Sequence, residues 1–146
     1  MKYIASLFCF IIVSGYVFGQ VDDAYIRAMA KLQLGQSDSA LAYLESAILK
    51  DPINEEYLVL RGDLNVRKGF LQKALQYYQQ ADKIEEGSGY YGQAVCYAAM
   101  GNNAKALDYL KKHLESKYKK PQKVIKTEPA FASLENSREW IALWQK

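Results

Sequence analysis

Histidine and cysteine are nearly missing from this chain: among 146 residues there are one histidine, His113, and two cysteines, Cys9 and Cys96. A zinc site takes about four Cys, His or carboxylate ligands, so Cys/His metal frameworks and multi-disulfide scaffolds are excluded. Charge of one sign is also scarce. Nineteen basic residues against 16 acidic ones leave a net charge of +3, too small to demand a nucleic-acid partner. Recognisable catalytic patterns are lacking as well. A Ser–His–Asp arrangement would have to use His113, which has no nucleophile motif near it. Cys96 falls among Val95, Tyr97 and Ala98, an inert setting for a thiol. The acidic pairs Glu55-Glu56 and Glu85-Glu86 are sequence neighbours that diverge, whereas a glycosidase needs two carboxyls facing one sugar at about 5–9 Å. Gly87-Ser88-Gly89 makes no phosphate cradle and reads as a linker. The expectation is a non-enzymatic protein with no cofactor and no small-molecule substrate.

What is present has an ordinary globular balance, 50% hydrophobic and 24% charged, over a length typical of one domain. Residues 1–20 stand apart. Lys2 precedes the apolar run Ile4 to Val13, and Ser14-Gly15-Tyr16-Val17-Phe18-Gly19 leads to Gln20. A positive start, a short apolar centre and a small residue before polar sequence is the layout of a secretory signal peptide. Val17 and Gly19 would sit three and one residues before the cut, so that residues 1–19 leave and Gln20 becomes the mature N-terminus. The competing reading is an uncleaved anchor, but Tyr3 to Phe18 offers 16 residues against the roughly 20 of a spanning helix. The expected address is export across the cytoplasmic membrane, periplasmic or secreted. Cys96 would then be the one remaining thiol, and burial is its expected fate.

The rest of the chain repeats. Gly35, Gly69 and Gly101 are each followed five and six residues later by Ala-Leu, namely Ala40-Leu41, Ala74-Leu75 and Ala106-Leu107. Tyr43, Tyr77 and Tyr109 stand two residues beyond each pair, and the copies are spaced by 34 and then 32 residues. Seven residues after the recurrent alanine come Ala47, Ala81 and His113, and twelve before it come Ala28, Gly62 and Ala94. Small residues recur where helices must approach closely, and glycine recurs where the chain must turn. The pattern resembles the tetratricopeptide repeat, a 34-residue helix–turn–helix unit. The second copy fits best, with Gly62, Gly69, Ala74, Tyr78 and Ala81 on signature positions. The first adds Asp51-Pro52 at the repeat boundary, and the third has Tyr90, Ala94, Tyr97, Gly101 and Ala106. The resemblance covers about residues 22–116. Two departures stand out: the loop before the third copy is two residues shorter and lacks proline, and His113 replaces a small residue. The second departure implies that no ordinary fourth repeat packs there.

Helical spacing supports the same reading without the family. Tyr25, Ile26, Met29 and Leu32 fall three or four residues apart, as do Leu41, Leu44 and Ile48, and Leu58, Val59, Gly62 and Val66. Helices are expected near 22–34, 37–50, 54–68, 71–85, 89–100 and 103–117, with Ser37 and Asn103 as N-caps. One helical pair is too small to bury its own apolar face, so pairs stack. The expected fold is all-α: a short right-handed α-solenoid of three helix–turn–helix repeats plus a C-terminal capping helix. The expected division is 1–19 signal peptide, 20–117 repeat domain, and 118–146 basic linker and capping helix.

The resemblance implies that the first helix of each repeat lines a concave, ligand-carrying face. Those positions here are Tyr25, Met29 and Leu32; Val59, Asp63 and Val66; and Tyr91, Val95 and Ala98, with Glu56, Asp63 and Arg67 as the polar residues. The Lys/Asn clamp by which some family members hold a C-terminal carboxylate is absent, because Tyr25, Met29 and Leu60 occupy its places. The implied function is an adaptor for a partner protein or peptide with apolar anchors, touching Tyr25, Met29, Val59, Asp63, Val66, Arg67 and Tyr91. The other reading is that these residues only pack between neighbouring helices.

Residues 111–126 hold seven lysines, one histidine and one glutamate. Lys117, Lys119, Lys120 and Lys123 could meet an anionic envelope surface, a membrane or wall component, or could simply solvate a helix end and suit its dipole. Nucleic acid is not indicated, since Tyr118 alone interleaves the charges. Further on, Pro129 and Phe131 to Leu134 suggest a helical turn, and Ser137 suits the cap of a last helix whose Trp140, Ile141, Leu143 and Trp144 form an apolar face. That face either closes the solenoid or docks into a partner.

Overall fold

The computed structural model describes residues 22–145. The expected signal peptide, its cut before Gln20 and Cys9 all lie outside the described residues. Three helical hairpins follow in order: α1 (Asp23–Gln33) with α2 (Ser37–Lys50), α3 (Glu55–Arg67) with α4 (Leu71–Ile84), and α5 (Tyr90–Ala99) with α6 (Asn103–Glu115). No strand occurs among the described residues.

The recurrent glycines explain the hairpins. Gly35, Gly69 and Gly101 have φ of 74°, 78° and 76°, in the left-handed region that a Cβ disfavours. Each glycine N–H returns to the carbonyl of Leu32, Val66 or Ala98, and the next residue's N–H returns to Lys31, Asn65 or Tyr97. That double closure is the Schellman motif, which satisfies the helix's last carbonyls while reversing the chain. The residue after glycine then serves at once as the end of one helix and the N-cap of the next. The caps are therefore Gln36, Phe70 and Asn102, and Ser37 and Asn103 are the first residues of their helices instead of the caps expected from sequence. Asn102 accepts from the Lys105 amide, whereas Gln36 and Phe70 make no side-chain cap bond.

Alanines at repeat positions hold the helices close. Ala28, Ala40, Ala47, Ala74, Ala81, Ala94 and Ala106 are wholly buried. The hairpins stack through α2 on α3 and α4 on α5, which makes the protein an α-solenoid. In the middle of the stack the Tyr78 ring lies in a slot opened by two glycines. A Cβ on Gly62 would come within 2.5 Å of that ring, and one on Gly92 would come closer still.

Beyond α6 the repeat pattern gives way to a cap. Residues 116–121 form a strap that leads into α7 (Gln122–Lys126), a 3-10 turn (Pro129–Leu134) and α8 (Arg138–Leu143). The turn packs on α5, and α8 packs on α6. Ile125, Phe131, Leu134 and Trp140 are buried in one cluster with Ala94, Val95, Ala98, Ala106 and Leu110, covering apolar surface that a further repeat would otherwise cover. Glu128 caps the turn through the Ala130 amide, and Ser137 caps α8 through the Trp140 amide. The rings of Phe131 and Trp140 lie 5.7 Å apart and those of Trp140 and Trp144 5.4 Å apart, so both tryptophans belong to the cap's aromatic cluster. Ile141 departs from the apolar face expected of it and is 46% exposed. The inward stripe runs through Trp140, Leu143 and Trp144, at i, i+3 and i+4, and leaves Ile141 outside.

Candidate binding groove

The first helices of the hairpins and the strap enclose a groove of about 620 Å³. Tyr25 comes from α1, Val59, Asp63, Val66 and Arg67 from α3, and Tyr91 from α5. These are six of the contact residues that the repeat register implies, and they share one concavity. Met29 lies outside it. Because α1 begins the described stack, no described helix covers its outer side, and Met29 remains 40% exposed and outside the buried clusters.

The fourth wall comes from the strap, and the sequence did not disclose it. His113 is 1% exposed at the end of α6, and its Nε2 accepts the Lys120 backbone N–H at 2.9 Å. That bond puts the ring proton on Nδ1, which is buried without a hydrogen-bond partner in the protein. Burial, with the nearby Lys120 charge, lowers the His113 pKa from the ordinary 6.5 to about 4, so the imidazole is neutral. Its ring lies 5.2 Å from that of Tyr91. The Tyr118 hydroxyl donates to Glu55 Oε1 at 3.4 Å, across to the first turn of α3. Tyr91 in turn donates to Glu128 Oε2 at 3.4 Å, and Lys120 Nζ sits 4.4 Å from the centre of the Tyr91 ring. Two features of the sequence carried a signal for this wall: His113 in a small-residue position, and Tyr118 alone among lysines.

The four lysines of the basic segment are disposed differently. Lys120 faces the groove, Lys117 pairs with Glu85 at 2.5 Å, and Lys119 and Lys123 are exposed. Carboxylates dominate the field inside the groove. Burial, then the charges of Glu56, Asp63 and Glu55, push the Tyr25 hydroxyl up to about 12. Burial likewise raises Tyr91, helped by Glu128. The Asp63 carboxyl is pushed above the usual carboxylate range by burial, against the opposing bond from Tyr78, whose hydroxyl donates to Asp63 Oδ1 at 2.6 Å. Cys96 lies buried behind this floor with its thiol pushed up to about 12, far from a reactive thiolate. Among the described residues no cluster of His, Cys, Asp and Glu is placed to hold a metal ion, and no helix is long and apolar enough to cross a membrane.

A family model described as tetratricopeptide repeat matches residues 25–90, from Tyr25 in α1 to Tyr90 at the start of α5. No curated protein matches the chain. Repeats of this family generally mediate protein–protein interaction, commonly with protein or peptide partners, on a scaffold that is generally non-enzymatic. The third hairpin lies beyond the match yet continues the same register of glycine, alanine and leucine through Gly101, Ala106 and Leu107, with the same Schellman turn. Sequence match over residues 25–90 and helical stacking through all three hairpins agree, and together they support a tetratricopeptide repeat protein.

Proposed function

We propose that this protein is an exported, non-enzymatic adaptor that holds a segment of a partner protein in its concave groove. The observation that carries the reading is the convergence of Tyr25, Val59, Asp63, Val66, Arg67 and Tyr91 on one cavity of about 620 Å³. That volume falls within the range of about 300–1,000 Å³ typical of ligand pockets and holds a few side chains of a peptide. Aromatic walls give contact area, while Asp63 and Arg67 give polar discrimination. Export rests on the signal-peptide layout of residues 1–19. The absence of catalysis is supported by the buried, unreactive Cys96 and by His113, whose Nε2 is occupied by the Lys120 amide.

The test is capture of partners from an envelope extract at low and high salt, with Tyr25→Glu and Tyr91→Glu alongside. A groove-held partner survives high salt with the unaltered protein and is lost from both variants while their helicity by circular dichroism is kept. Retention by a folded Tyr25→Glu protein overturns the groove reading. The lysine segment supports a second reading, attachment to an anionic membrane or wall component through Lys117, Lys119, Lys120 and Lys123. Its signature is capture that ignores Tyr25→Glu and washes off in salt, because screening shortens the reach of exposed charges.

A further inference from the structure

The groove is acidic inside a basic protein. Glu55, Glu56, Asp63 and Glu128 line it against Arg67 and Lys120, whereas the whole chain carries a net charge of +3. Tyr25, Tyr91 and Tyr118 add aromatic faces on which a cation can rest. One cation already rests there. The Lys120 ammonium sits 4.4 Å from the centre of the Tyr91 ring, and the hydroxyl of that ring is held by Glu128.

The strap that delivers Lys120 is lightly tied. Residues 116–121 form no helix. Ser116 is anchored at the end of α6, where its N–H and hydroxyl both donate to the His113 carbonyl. Beyond it the fastenings are Lys120 N–H to His113 at 2.9 Å, Tyr118 to Glu55 at 3.4 Å and an exposed Lys117–Glu85 pair at 2.5 Å. Exposed ion pairs contribute little, because water and salt compete for both partners. The lysine is thus a removable occupant of a site whose chemistry it reports.

Building on the groove reading above, we propose that the groove selects a partner segment bearing a lysine or arginine side chain, and that residues 116–121 are a tethered competitor whose Lys120 occupies the cation position over Tyr91 until the partner displaces it. An internal occupant lowers the apparent affinity by the fraction of time that it fills the site. An acidic ligand side chain at that place meets Glu55, Glu56 and Glu128 and is repelled, which provides specificity beyond the apolar anchors.

The test uses the full chain and fluorescent nonapeptide pools in which the central residue is fixed in turn as lysine, arginine, leucine or glutamate and the others are randomised. The lysine and arginine pools are expected to bind about fivefold tighter than the glutamate pool, with leucine between them. Lys120→Gln is expected to tighten the lysine pool by about two- to fivefold, since the internal cation is gone. Tyr118→Phe loosens the strap without changing charge and should tighten it by about twofold, which separates displacement from a change in the groove's net charge. Equal binding of the four pools, abolished by Tyr25→Ala, overturns cation selection and leaves the groove reading standing. Lysine-pool binding that ignores Tyr25→Ala, which removes the aromatic wall without adding charge, overturns the groove reading itself. Unchanged affinity in both Lys120→Gln and Tyr118→Phe overturns the tethered competitor, and failure of every pool to bind either the unaltered protein or Lys120→Gln counts against the whole proposal.

Discussion

Where the first and third hairpins carry leucine, at Leu44 and Leu110, the middle hairpin carries Tyr78. The equivalent positions around it change too. Asp63 stands in the register of Met29 and Val95, and Gly92 in the register of Ile26 and Leu60. Tyr78 uses all of these changes. Its ring fills the space left by Gly62 and Gly92, and its hydroxyl passes through to Asp63 at 2.6 Å on the groove floor. The flanking hairpins bury a leucine at that place and put no such polar bond beneath the groove. A stacked repeat is therefore altered in sets: one larger, polar residue in a second helix needs an acceptor on its own first helix and a missing Cβ on the next repeat. The third hairpin has its own departure, His113 where Ala47 and Ala81 stand, and there the stack stops and the strap begins.

The sharpest way to break this comparison is to return Gly92 to the register of Leu60. Gly92→Leu drives a side chain into the Tyr78 ring and is expected to destabilise the protein by about 3 kcal/mol in urea unfolding, the top of what overpacking typically costs. In a Tyr78→Leu background the same change should cost less than half as much, because the slot no longer holds a ring. Equal costs in both backgrounds would show that the ring and the glycine are unrelated.

The next effect concerns the third hairpin and pH. The His113 pKa is about 4 in the fold against an ordinary 6.5, so the unfolded chain takes the proton first. The stabilisation is complete above pH 6.5 and drains away as pH falls toward 4, by about 3 kcal/mol in total. His113→Ala, which restores the register of Ala47 and Ala81, should lack this component. Subtracting its stability-against-pH curve from that of the unaltered protein should leave a slope confined to pH 4–6.5, and parallel curves would show that His113 is not held neutral. The smallest effect is expected from Tyr78→Phe, which keeps the ring and removes the donor to Asp63. A loss of about 1–2 kcal/mol is the expected cost of leaving a partly buried carboxyl without that partner, and an unmoved unfolding midpoint would mean that the bond adds nothing.

The hairpins were legible because their signals are local. Glycine at a positive φ, alanine at a helix crossing and apolar residues at helical spacing act within one or two turns of chain. The inward faces of α1, α3 and α5 followed from the register, and Tyr25, Val59, Asp63, Val66, Arg67 and Tyr91 line one groove. The strap was hidden because the contact that carries it across the groove is not local: Tyr118 meets Glu55 63 residues away. The lysines around Ile125 disguised α7, since one wholly buried residue in so charged a segment leaves no periodicity to read. The Tyr78–Asp63 bond lay within reach of the sequence, in the pairs Leu/Met, Tyr/Asp and Leu/Val across the three copies, but it shows only when departures are compared together.

The turns at Gly35, Gly69 and Gly101 bear on how this molecule yields under load. One residue closes the first helix of each hairpin and opens the second, and it is bonded back into the helix it leaves, so the joint has no slack. Each hairpin is a stiff strut. Compliance is left to the two connectors between struts, residues 51–54 and 85–89, which carry no such doubled closure. A partner wider than the groove would be admitted by whole hairpins tilting about those two joints, with the spacing of Tyr25 and Val59, one on each side of the first joint, as the dimension that changes most directly.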